Sequence, residues 1–80
     1  MIIKVVVTLK NGVLDPQGKA IQQTLNGMNF SSVDDVRQGK FFEIEINEND
    51  QNKAEKKINE MCEKLLVNLI IEDYTISKIS

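Results

Sequence analysis

From Ile2 to Leu9 the chain is apolar, β-branched and poor in helix formers, which predicts a strand. Period-two geometry puts Ile3, Val5, Val7 and Leu9 on one face. Ile2 and Val6 fall on the other, with Lys4, Thr8 and Lys10, so neither face is wholly polar. Asn11-Gly12 signals a turn. Asp15-Pro16 then signals a helix start. The carboxylate can cap the first turn, and a proline at the first helical position forfeits no hydrogen bond. Ala20, Ile21, Thr24, Leu25 and Met28 recur at helical spacing as one apolar stripe, and Gly27 and Asn29 supply a stop.

A weaker strand is predicted over Val33 to Gln38, with Gly39-Lys40 as a tight reversal. Phe41 to Ile46 alternates cleanly, with Phe42, Ile44 and Ile46 opposite Phe41, Glu43 and Glu45. Turn formers around Asn47–Asn49 close it. The second helix carries Ala54, Ile58, Met61, Cys62 and Leu65 on a single stripe among charged and amide residues. Ile70 to Ile79 reads as the last strand, with Ile70, Tyr74 and Ile76 opposite Ile71 and Ile79.

The order is β-α-β-β-α-β, a two-layer α+β sandwich related to the ferredoxin-like fold. It predicts a four-stranded antiparallel sheet with both helices on one face. The bare face would still carry Ile2, Val6 or Phe41 and one set of last-strand positions. An exposed apolar patch of that kind marks an interface, so a dimer is expected. The 80 residues make one domain, 1–80, with no repeat, linker or low-complexity stretch.

Composition removes several function classes. A net charge of -2 offers no basic face for phosphates, so no nucleic-acid partner is expected. No apolar run approaches the roughly 20 residues of a membrane span. Met1 to Val7 lacks a basic leading region and a small-residue cleavage site, so no signal peptide is expected and the cytoplasm is the expected compartment. A single cysteine, Cys62, excludes an intrachain disulfide.

The chemistry is sparse. There is no histidine, so neither a Ser-His-Asp nor a Cys-His nucleophile can be built. Cys62 lies within an apolar stripe, where a thiol is a small hydrophobe with a raised pKa. Asp34-Asp35, Glu43 with Glu45, and Glu72-Asp73 read as solvated strand and turn faces, with no metal site. Gly39-Lys40-Phe41-Phe42-Glu43-Ile44 bears a superficial likeness to the aromatic strand of an RNA-binding RRM. Glu43 and Glu45 would face phosphate, and no glycine or alanine separates the aromatics. Gly12 to Ala20 is the most distinctive segment. It reads either as a loop with a capped helix start or, with Lys10 and Lys19 nearby, as an anion site.

That segment closely resembles the N-terminal signature of the PurS family. The resemblance rests on Leu9-Lys10 and the run Gly12-Val13-Leu14-Asp15-Pro16-Gln17-Gly18-Lys19-Ala20-Ile21. It continues in Val36-Arg37, Gly39-Lys40, Met61 to Leu66, Asn68 and Ile71-Glu72-Asp73-Tyr74. Many members carry proline where this chain has Asn11 and Leu69. PurS is the small subunit of multi-subunit phosphoribosylformylglycinamidine synthase. The resemblance implies an α+β chain that forms dimers, sometimes paired into tetramers, with no active site of its own. It implies two partners: PurL, an ATP-dependent synthetase subunit, and PurQ, a glutaminase subunit. The complex, a ligase, converts formylglycinamide ribonucleotide, glutamine and ATP to formylglycinamidine ribonucleotide in purine synthesis. ATP and magnesium would be used by the complex, with no cofactor held by this chain. Partner contacts are expected at Gly12, Asp15, Pro16, Gln17, Gly18, Lys19, Arg37 and Lys40, and no catalytic residue is expected. A small-molecule-binding regulatory module is the alternative that the fold alone would allow.

Overall fold

A computed structural model describes residues 1–79. The described residues form β1 (Ile2–Leu9), α1 (Pro16–Gly27), β2 (Gly39–Glu45), α2 (Gln51–Met61), a π turn (Cys62–Leu66) and β3 (Glu72–Lys78). The sheet is antiparallel, with order β2-β1-β3. The central strand is the most apolar one, as expected where both edges are paired.

Register aligns the inner faces. Val5 lies opposite Phe42 on one side and Ile76 on the other, and Val7 lies opposite Lys40 and Tyr74. Asp50 caps α2 by accepting from the amides of Asn52 and Lys53. The helix lays Ala54, Ile58 and Cys62 over Ile3, Val5 and Val7, all fully buried. Each large side chain so buried contributes about 1.5–3 kcal/mol. Phe42, Ile44, Ile46, Tyr74 and Ile76 pack around this core.

Three expectations are corrected. The sheet has three strands, because residues 33–38 join no strand ladder. They run back beside α1 instead. Asn26 Nδ2 donates to the carbonyls of Phe30 (3.0 Å) and Val33 (3.1 Å), and Gly18 lies directly against the Val36 carbonyl. Only Val33 and Val36 are apolar in that stretch, too little to hold an edge strand. Gly39-Lys40 is accordingly no reversal; Gly39 already pairs with Thr8 in β2.

Nor do two helices share one face. No residue of α1 belongs to the core, and Ile21 and Met28 are exposed. Helix and returning segment form an arm, and the long axis of the molecule reaches 49 Å. The radius of gyration is 16.0 Å, against about 12 Å for a compact chain of this length.

Finally, the second helix changes pitch. The Val67 amide donates to the Cys62 carbonyl at 3.0 Å, an i to i−5 bond. The extra residue in the turn brings Val67 into the core and leaves Leu65 outside, 83% exposed. Ile70 follows in a turn ahead of β3 and is exposed as well.

Candidate functional site

The inner face of the sheet turns polar where α2 no longer covers it. There Lys40 lies opposite Val7, and Glu72 lies opposite Leu9. These residues and the start of α1 enclose a cleft of about 280 Å³. Val7, Leu9, Asp15, Pro16, Gln17, Gln38, Gly39, Lys40 and Glu72 line it. Glu72 is buried, accepts from the Asn68 amide at 2.8 Å and pairs with Lys40 at 3.4 Å.

Asp15 is the hinge pin of this end. Its Oδ1 accepts from the Gly18 amide at 2.9 Å, the expected helix cap. Its Oδ2 accepts from the Gln38 amide at 2.8 Å, a contact 23 residues away. Those two bonds, the Gln38 one foremost, hold the carboxyl below its ordinary pKa, and the Arg37 charge adds to them. Arg37 Nη2 donates to the carbonyls of Leu9 (2.9 Å) and Lys10 (3.2 Å), at the end of β1. Gly12 takes a φ of +86° in the turn before the arm, a conformation glycine adopts without strain. Gly18 has no room for a Cβ: the Val36 carbonyl and Asp15 Oδ2 occupy its place. Lys19 lines a smaller hollow with Arg37.

The structure therefore brings several of the predicted residues together at the base of the arm. Asp15, Pro16, Gln17 and Lys40 share the cleft, Lys19 and Arg37 the hollow beside it. Glu72 was read as solvated, and it is buried. Its period-two alignment with Tyr74 and Ile76 was the available signal, since that face is the core face. Cys62 is fully buried, and burial raises its thiol pKa as the sequence predicts. Tyr74 packs on the core and donates to Asn59 Oδ1 at 2.9 Å. Among the described residues, no group of three or more acidic or thiol side chains is placed to hold a metal ion.

This geometry has close relatives. The PurS family, described as phosphoribosylformylglycinamidine (FGAM) synthase, matches residues 2–80. The chain belongs to the PurS family. Its Bacillus subtilis relative, phosphoribosylformylglycinamidine synthase subunit PurS, is 50% identical over 72 residues, 90% of this chain and 84% of the relative. The solved structure of B. subtilis PurS superposes with a TM-score of 0.85 at 47% identity, covering 95% of this chain and 94% of that one. A chain in the structure of PurLQS from Thermotoga maritima matches with a TM-score of 0.86 at 28% identity, over 99% of both chains. Both likenesses span sandwich and arm, since each covers 95% or more of this chain.

Proposed function

We propose that this chain is the assembly subunit of FGAM synthase, joining the synthetase PurL to the glutaminase PurQ. The observation that carries the reading is its likeness, over 99% of both chains, to a chain of the T. maritima PurLQS structure. The subunit supplies no catalytic residue. The chain has no histidine, and its one thiol is buried with a raised pKa. ATP and magnesium serve the synthetase, and the complex works in the cytoplasm.

The physical need for such a part is the chemistry of ammonia. Free in neutral water, ammonia is protonated and loses its nucleophilic lone pair. The glutaminase and synthetase sites must therefore be docked with a protected route between them. A rigid subunit touching both can fix that docking. The partner-facing end is the one bearing Gly12, Asp15, Pro16, Gln17, Gly18, Lys19, Arg37 and Lys40. A second copy of this chain covers apolar surface left bare by the fold: Phe41 on the open sheet face and Ile21 and Met28 on the arm. Pairs of dimers would give the tetramer.

Reconstitution tests the reading. With PurL, PurQ, ATP, magnesium, glutamine and formylglycinamide ribonucleotide, glutamine-dependent turnover should require this chain. Turnover with ammonia should persist without it. Equal loss of both activities would instead point to support of the synthetase alone. The cleft beside Lys40 and Glu72 favours one second reading, a ligand-binding regulatory module. Thermal stabilisation of the isolated chain by a purine nucleotide or glutamine would support it.

A further inference from the structure

We infer that Asp15 and Arg37 form a two-point latch that sets the pose of the α1 arm, and that they serve assembly as positioning residues and not as contacts. The inference rests on the assembly reading above. No apolar side chain of α1 reaches the core, so burial does not fix the direction of the helix. Polar bonds do. Asp15 is only 8% exposed, and its two oxygens are spent on two different strands of chain, the Gly18 amide going out and the Gln38 amide coming back. Arg37 ties the returning segment to the Leu9 and Lys10 carbonyls at the end of the central strand. Gly18 lets helix and returning segment close on each other, since any Cβ there would meet the Val36 carbonyl.

The consequence is geometric leverage. α1 has 12 residues, and a helix of that length spans about 18 Å, so a tilt of about 10° at its base moves its tip by about 3 Å. Ile21, Met28 and the neighbouring Phe30 are exposed along that lever. An interface packed to interior density does not tolerate such a shift. Asp15 and Arg37 thus act on the partner through the pose of the arm.

The test reads pose and assembly in the same samples. Amide hydrogen exchange is measured on the free chain for wild type, Asp15→Asn, Arg37→Ala and Arg37→Lys. Binding to PurL and glutamine-dependent turnover follow. Each lost hydrogen bond should speed exchange at Gly18, Gln38 and α1 about tenfold and weaken binding by a similar factor. Amides of β1, β2 and β3 should exchange as in wild type, and Arg37→Lys should recover part of both effects. Gln17→Ala, on an exposed cleft residue, should weaken binding with arm exchange unchanged. Weaker binding by Arg37→Ala with unchanged arm exchange would make Arg37 a contact and overturn the latch. A loosened arm with full binding would overturn its role in assembly. If the wild-type chain itself leaves glutamine-dependent turnover unchanged, the assembly reading fails, and the positioning role with it.

Discussion

In the sandwich, Ile3, Val5, Val7, Ile58 and Cys62 expose nothing, whereas on and beside the arm Leu14, Ile21, Met28 and Phe30 are each 41% exposed or more. The two regions use the same residue types and hold together by different forces. Apolar burial between α2 and the sheet holds the first together. The second has a helix whose stripe stays outside that core, and backbone-directed polar bonds fix it at the base. The difference teaches that an amphipathic helix declares only that it needs cover, not who provides it.

The largest break in this comparison should come from the sandwich. Ile58→Ala removes a fully buried side chain, and urea denaturation should show a loss of about 2–5 kcal/mol. That is a large share of the stability of a domain this small. An unchanged midpoint would mean that the core is elsewhere.

Gly18→Ala addresses the arm. Alanine is normally the better helix former by about 1 kcal/mol. Here its Cβ would meet the Val36 carbonyl and the Asp15 carboxylate, neither of which is a flexible side-chain end. The expected net loss is about 1–3 kcal/mol, from forced overpacking. Exchange of residues 16–38 should accelerate more than that of the strands. A stabilised variant would show that the arm is loosely seated.

A smaller effect follows pH. The Asp15 carboxyl is held below its ordinary value of 3.8, first by the Gln38 amide. A depressed carboxyl stabilises the fold fully above that ordinary value, and its contribution is lost as pH falls through the folded-state pKa. The acid limb of stability should therefore be shallower in Asp15→Asn below about pH 4. Some slope should remain, because Glu48 is likewise depressed, chiefly by its bond to Lys57. An identical acid limb in both proteins would mean that Asp15 is not so engaged.

The smallest effect belongs to Leu65→Ala. Helical periodicity places Leu65 in the core stripe, but the π turn puts it in water. Stability of the isolated chain should change by less than about 0.5 kcal/mol. A loss in the range of Ile58→Ala would restore the regular helix.

Much of this was legible in the residues. Alternation in Ile2–Leu9 and Phe41–Ile46 identified the inner faces correctly, because sheet side chains point to opposite sides whatever else the chain does. Asp15-Pro16, Gly27 and Asn29 bounded α1, since caps act within a turn; Asn29 indeed takes a positive φ of 73°. Asp15, Pro16, Gln17 and Lys40 stood out as parts of motifs, and the structure brings them to one cleft. Glu72 was missed because its neighbours in sequence are charged or apolar turn residues, and only the sheet register sets it against Lys40. The second strand was misread because extended backbone at 33–38 looks alike whether it pairs with a strand or lies along a helix.

The sequence by itself determined both helices, three of the strands, the cap of α1, the core faces of β1 and β2, the poverty of catalytic groups and the family. These depend on contacts within a few residues, or on composition. Only the tertiary structure decided that the sheet has three strands, that α1 leaves it, that the second helix ends in a wide turn, and that Asp15 reaches Gln38. Each of those depends on which distant groups win a shared partner. A periodic pattern records that a residue wants burial or a hydrogen bond, and the fold alone settles where it is met.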